Sequence, residues 1–223
     1  MAKKVSKSRY KKSIPEALDL REDRKFLRAF FTSSASKKVK PARMSSPRDG
    51  LLEQMEKLYH DYQRSLAADL LQLVRKMPPD AFERLSVHLL SKMGYGNFRA
   101  NAGRVVGKSG DGGIDGIIEE DPLGLEAIYI QAKRWSSAVG RPHVQQFVGA
   151  LQAHGARKGI FITTAHFTRE AKDYVAQVKS ARVFLIDGDL LTKLMINLDI
   201  GVVTAIQYSL KRIDPDFAQH WKM

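Results

Sequence analysis

The chain has 223 residues, 43 % of them hydrophobic and 27 % charged, a formal net charge of +13 and no cysteine. That length buries one core of ordinary size with room for an appendage, and no second full domain is expected. The missing thiol excludes disulfides, thiolate zinc sites and a cysteine nucleophile, which suits a cytoplasmic setting, and no apolar run approaches the roughly 20 residues of a membrane-spanning helix. The basic start, Met1 to Lys7, lacks the apolar stretch of a secretory signal. Residues 1–49 hold fifteen Lys or Arg against five Asp or Glu, so most of the excess charge lies in one segment. Such a patch favours a polyanion in a salt-dependent, sequence-blind way; a solvating tail is the other reading of the same residues. Ser33-Ser34-Ala35-Ser36, Lys37-Lys38-Val39-Lys40-Pro41 and Ser45-Ser46-Pro47 discourage regular structure, so this segment is expected to be partly disordered, with a helical pattern only over Ala17–Phe31.

From Leu51 to Met77 apolar residues recur at helical spacing, which predicts one long amphipathic helix or two shorter ones and a helical linker over 50–77. Pro78-Pro79 stops it. Asp80 has the character of an N-cap for a second helix through Phe82, Leu85, Leu89, Leu90 and Met93, ended by Gly94. The period then changes to that of strands: Ile114–Glu119 and Ala127–Lys133, joined by the turn Asp121-Pro122-Leu123-Gly124. Arg141–His154 is helical with Pro142 near its start, Gly159–Thr164 is a strand, and Thr168 caps a helix to about Lys179. Val183–Ile186 is a last strand and Asp189–Asn197 a last helix. The order predicts an α/β domain over 78–200, a three-layer core whose mixed central sheet, a hairpin followed by crossovers, is flanked by helices, with 201–223 as a tail.

Alternate residues of a strand share a face, so Ile128, Ile130 and Ala132 belong to one side of theirs and Tyr129, Gln131 and Lys133 to the other. The first set is core-like and the second polar, with Gln131 and Lys133 roughly 6 to 7 Å apart along a rigid edge. Asp115 sits sixteen residues before Gln131 within Gly110-Asp111-Gly112-Gly113-Ile114-Asp115-Gly116, where glycines let backbone or substrate come close. A carboxylate, an amide oxygen and a lysine are what phosphodiester hydrolysis with a divalent ion needs. Mg²⁺ (or Mn²⁺) takes oxygen ligands, one or two carboxylates plus waters and substrate oxygens, which Asp115 and Gln131 would satisfy. Lys133 would orient or help deprotonate the attacking water, or neutralise charge on the phosphate. Read in isolation, Asp111 and Asp115 among glycines are also ordinary turn residues, and a strand-ending Lys is also ordinary edge protection.

Phe82-Glu83-Arg84-Leu85, Lys92-Met93-Gly94-Tyr95-Gly96, GKSGDGGIDGII, YIQAKRW, VGRPHVQQFVGAL, KGIFITTAHFTREA and LIDGDLL occur here in order. Together they resemble the catalytic domain of Mrr-like restriction endonucleases, in the branch of the PD-(D/E)xK nuclease superfamily where Gln replaces an acidic residue. The resemblance spans about residues 51–200. It implies a restriction-endonuclease-like fold and a metal-dependent DNA endonuclease of a restriction system acting on modified, methylated DNA. It further implies that Asp115, Gln131 and Lys133 form the catalytic triplet, with Glu83 as a further acidic contributor. For Glu83 a second role is open, because Asp80-Ala81-Phe82-Glu83 also fits a capping box. Lys108, Arg134 and Arg141 are the cations expected to meet DNA. Gly107-Lys108-Ser109 is not a phosphate-binding loop, since Gly103 stands one residue too close for that motif. The six histidines lack zinc-site spacing; His143 opens a helix where it could contact phosphate, and Trp135 closes the core edge or packs near DNA.

The family's catalytic domain is commonly preceded by a winged-helix reader of DNA, a module that residues 1–49 do not have the pattern to form. The expectation is a basic tail supplying non-specific affinity, or reliance on a partner or a second copy, as a homodimer, to engage both strands. Two rival readings stand beside the endonuclease: a DNA-binding protein on a nuclease fold that does not cut, and a nuclease of repair or junctions.

Overall fold

A computed structural model of the chain describes residues 47–96, 103–106, 113–211, 213–214 and 216–217. The basic segment up to residue 46, its Ala17–Phe31 helix, Lys108 and Asp111 lie outside these residues. The first element, α1 (Pro47–Lys76), is one uninterrupted helix. Its apolar stripe is not buried along its length: Leu51, Leu52, Met55, Leu58, Tyr59 and Tyr62 are exposed, and full burial begins at Leu70 and Val74. Those two join a core cluster with Leu191, Leu194 and Met195 of α5 (Gly188–Asn197). The C-terminal part of α1 therefore belongs to the domain by packing, whatever its helical neighbours upstream do.

Pro78 is the N-cap of α2 (Pro79–Lys92) and gives no side-chain cap. Asp80, read above as that cap, lies inside the helix and binds Arg84 one turn on, Nη1 to Oδ2 2.7 Å. Proline's fixed φ suits the first helical position, so the start moves upstream of the expected one and the capping box does not form. Two other helix starts carry side-chain caps. Thr168 accepts the amide of Ala171 at the head of α4 (Arg169–Gln177). For α5 the cap is Asp187, which accepts from Leu190 N at 3.0 Å, so the helix begins at Gly188.

Five strands form one sheet in sequence order: β1 (Gly103–Val105), β2 (Gly116–Glu119), β3 (Ala127–Lys133), β4 (Lys158–Thr163) and β5 (Arg182–Ile186). The pairs β1/β2 and β2/β3 are antiparallel, β3/β4 and β4/β5 parallel. The mixed sheet matches the expectation; the three-residue edge strand β1 was not foreseen, because a Gly-Arg-Val run is too short to show a period. The parallel pairs need crossovers, supplied by α3 (Arg141–Ala153) and α4.

Ile128 and Ile130 pack with Ile160, Ile162 and the helices α1, α2 and α5. Phe161 packs on the opposite side with Val144, Phe147 and Leu151 of α3 and Ala171 of α4. The result is helices, sheet, helices. It corrects one reading: the Tyr129–Gln131–Lys133 side is not a polar surface, for Tyr129 packs against the second cluster and Gln131 is buried. Parallel strands carry helices on both faces, so burial there overrides the alternation of residue types.

The β2–β3 connection is held by Asp121, whose two carboxylate oxygens accept from Leu123 N at 2.8 Å and Glu126 N at 2.6 Å. The Glu126 amide is the main reason its carboxyl is held below the usual value. A lowered carboxyl stabilises the fold above its unfolded value, and that stability is lost as pH falls through the native one. Asp121→Ala is therefore expected to unfold at lower urea than wild type at pH 7, with the two curves converging as pH drops below the carboxylate range. A gap that persisted unchanged at about pH 2 would contradict this role.

Candidate active site

Asp115 stands where β2 and β3 part. Gly116 pairs with Ile130 across the ladder, yet the amide of Asp115 also donates to Ile130 O at 2.8 Å. Two consecutive residues thus oppose one, the arrangement of a β-bulge, which turns side chains out of simple alternation. On the other flank Val106 N donates to Asp115 O at 2.9 Å, so both backbone groups of Asp115 are fixed. Its side chain finishes the fork: Oδ2 accepts from Ala132 N at 2.8 Å. Lys133 Nζ lies 3.7 Å from the same oxygen, with the Lys and Asp side chains 29 % and 14 % exposed. Acid and ammonium group meet at a rim that solvent reaches.

Gln131 sits one rung along, 4 % exposed. Its Oε1 is buried and has no hydrogen-bond partner among the described residues. Leaving such an acceptor bare costs about 1–3 kcal/mol, so its retention asks for a reason. The opposing backbone is Gly113, at φ +92°, where an added Cβ would lie 2.4 Å from Gln131 Nε2. Glycine is needed there twice, for its conformation and for the space the amide occupies.

Glu83, in the first turns of α2, is close enough for the charges of Asp115 and Lys133 to act on it. Burial pushes its carboxyl above the usual value, Asp115 pushes it further, and Lys133 opposes both. The Asp115 carboxyl is also raised, chiefly by burial, against the pull of the Ala132 amide and of Lys133. The structure therefore gathers all four of Asp115, Gln131, Lys133 and Glu83 at one end of β3. The donor set, two desolvated carboxylates and a bare amide oxygen, fits a hard divalent ion, which takes few protein oxygens and completes its shell with water and phosphate. Among the described residues no three His, Cys, Asp or Glu come together, so a softer zinc-type set is not formed there.

The expected DNA cations are dispersed. Arg134 donates to Arg75 O at 2.6 Å, holding the end of α1. Arg141 opens α3 with its guanidinium 5.1 Å from the Tyr174 ring centre, in a groove between α3 and α4. Two contributors to the site were missed in the sequence: the Ala132 amide and the bulge. The Gly112-Gly113 pair was the only signal, since a bulge shows itself in hydrogen bonds and not in residue type.

A mixed sheet carrying an acid at a fork and Gln-x-Lys on the next strand is the arrangement expected of a restriction-endonuclease fold. Residues 74–195 match the restriction endonuclease family of the Mrr catalytic domain. The chain is 40 % identical over 173 residues to the type IV methyl-directed restriction enzyme EcoKMrr of Escherichia coli strain K12, which covers 78 % of this chain and 54 % of that protein. It thus spans about half the length of that relative. Two solved structures are more distantly similar. MspJI restriction endonuclease in complex with a 27-mer oligonucleotide shares 24 % identity at TM-score 0.44, over 71 % of this chain and 35 % of its own. The DNA modification-dependent restriction endonuclease AspBHI shares 21 % at TM-score 0.48, over 62 % and 36 %. The chain belongs to the Mrr catalytic-domain family of restriction endonucleases.

Two outcomes follow from the geometry. A raised carboxyl means the folded state disfavours the charged form, so metal-free Asp115→Asn should melt above wild type at neutral pH, the gain vanishing in acid where wild type is itself protonated. A lower melting point at pH 7 would mean the carboxylate holds the fork as a charge. Gly113→Ala should cost about 1–3 kcal/mol in urea unfolding through strain and displacement of the Gln131 amide.

Proposed function

We propose that this chain is a DNA endonuclease that hydrolyses phosphodiester bonds with Mg²⁺ or Mn²⁺ held by Asp115 and Gln131, with Glu83 as a further acidic contributor. The observation that carries the reading is a desolvated Asp115 faced by the Lys133 ammonium at the end of the strand on which Gln131 Oε1 is buried and bare. A divalent ion, when bound, supplies polarisation of the phosphate and a more acidic water. Everything else is the chain's own work. The Ala132 amide and the bulge hold the Asp115 carboxylate in one orientation, so little reorganisation is needed as charge builds on the phosphate. Gln131 adds an oxygen without adding a charge. Lys133 Nζ, at the solvent-reached rim beside Asp115, neutralises charge on the phosphate or orients the attacking water.

The catalytic unit in this reading is residues 78–200 with the packed end of α1 from Leu70 on, the rest of 50–77 being its helical linker and 201–223 a tail. Modified, methylated DNA is the proposed substrate, on the strength of a relative described as methyl-directed. A cytoplasmic location and a homodimer that engages both strands belong to the same proposal; among the described residues no helix is long and apolar enough to cross a membrane.

The test is cleavage of methylated and unmethylated plasmid by purified protein in Mg²⁺ or Mn²⁺. Lys133→Ala and Asp115→Ala are expected to lose activity on the order of 10²–10³-fold or more while remaining folded. Intact plasmid under every condition, with DNA still bound, would leave a binding protein on a nuclease fold. Cleavage confined to branched substrates would move the reading to junction processing.

A further inference from the structure

We infer that the cleft formed just past Lys133 is a second phosphate-binding site, one that grips the DNA backbone next to the bond that is cut. This rests on the nuclease reading above for the identity of its polyanion, and on separate residues for the site itself. After β3 the chain turns back on itself, Trp135 N donating to Lys133 O at 3.0 Å. The turn places Arg134, Ser136 and Ser137 around a cleft of about 460 Å³ whose other walls include Arg75 at the end of α1, His143 and Thr164.

The two guanidinium groups are anchored by carbonyl oxygens. Arg134 Nη1 donates to Arg75 O at 2.6 Å, while Arg75 Nε and Nη2 donate to Thr164 O at 3.3 and 3.0 Å. Among the described residues neither has a carboxylate partner, and no acidic residue lines the cleft. Arg134 Nε is buried and without a hydrogen-bond partner there. Each guanidinium carries five N–H donors, so donors and two whole charges are left over. Two like charges side by side without an anion repel each other, and main-chain oxygens relieve that only in part. A phosphodiester, whose oxygens match the planar fork of arginine, supplies the missing charge and acceptors together.

The walls are set for such a guest. Thr164 Oγ1 is committed to Trp135 O at 2.8 Å, which fixes the turn. His143, in the first turn of α3, is held edge-on to Trp135, ring centres 4.6 Å apart. Ser136 and Ser137 are exposed, leaving hydroxyls at the mouth. Because Arg134 follows Lys133 directly, the cleft begins one residue past the strand end that carries Lys133.

Arg75 and Arg134 also tether α1, so the decisive variant leaves them alone. Ser136→Asp puts a carboxylate at the mouth; Ser65→Asp makes the same charge change on an exposed face of α1. Binding of the full chain to a duplex of about 30 base pairs is followed in chelator, where no cleavage occurs, across a salt series. Ser136→Asp should weaken binding about tenfold at moderate salt and flatten the slope of log K against log salt by about one, with Ser65→Asp close to wild type. Arg134→Gln should show the same slope change, its melting point reporting any loosening of α1. Equal affinity and slope for Ser136→Asp and Ser65→Asp would overturn the inference. Displacement of DNA by inorganic phosphate beyond that by chloride at equal ionic strength is expected of wild type and should shrink in Ser136→Asp; the same displacement in both would overturn the inference too. Because binding is read without cleavage, a flattened slope in a chain that never cuts would sink the nuclease reading and leave the cleft standing.

Discussion

The hydrogen bond from the Ala132 amide to Asp115 Oδ2, at 2.8 Å, is the constraint on which the candidate site depends. Where β2 leaves β3, an amide on the inner strand loses its backbone acceptor, and an unpaired buried N–H is a real cost. The carboxylate meets that need and is thereby aimed. One interaction closes the sheet's fork, orients the acid and brings it within 3.7 Å of Lys133 Nζ. The bulge at Asp115 and Gly116 makes this possible, because strict alternation along β2 would not free the side chain to reach across.

The sheet explains why that fork lies at a strand end. β3 is central, antiparallel to one neighbour and parallel to the other. On its parallel side the crossovers cover the face with α3 and α4, and the C-terminal ends of β3 and β4 come together, with Thr163 Oγ1 donating to Lys133 O at 2.8 Å. In open α/β sheets ligands bind beyond those carboxyl ends. Here Lys133 ends its strand there, and the turn after it leads directly to Arg134 and the basic cleft. The central strand therefore positions both the candidate site and the cleft.

Much of this was legible in the sequence because the signals were periodic or chemical. The parallel strands and crossovers were readable from apolar runs alternating with helical spacing, and Gln131 and Lys133 from their place two apart on a strand. Glu83 was legible only through resemblance; by pattern it competed with a capping role that Pro78 removed. The exposed half of α1 could not be foreseen, since an amphipathic stripe says that a face wants cover and not what covers it. Likewise, the burial of Gln131 contradicts its polarity. A polar residue on a strand reads as solvent-facing until the helix packed over it is known. Arg134 shows the converse: a cation beside the candidate lysine reads as a DNA contact, and its guanidinium is instead partly spent on Arg75 O.

The choice of glutamine at position 131 follows from the charges around it. Burial already disfavours ionisation of Asp115, and Glu83 is pushed further the same way by Asp115. A third carboxylate at a position 4 % exposed would add another desolvated negative charge to two that are already strained, with Lys133 alone to offset them. Each such addition drives protonation of one of the group, and a protonated acid is a poor metal ligand. An amide presents an oxygen of similar geometry at no cost in charge, and it gives the ammonium of Lys133 no further negative charge to balance. The cost is a donor end that must also be housed, and Gly113, with no side chain to collide with Nε2, is what houses it.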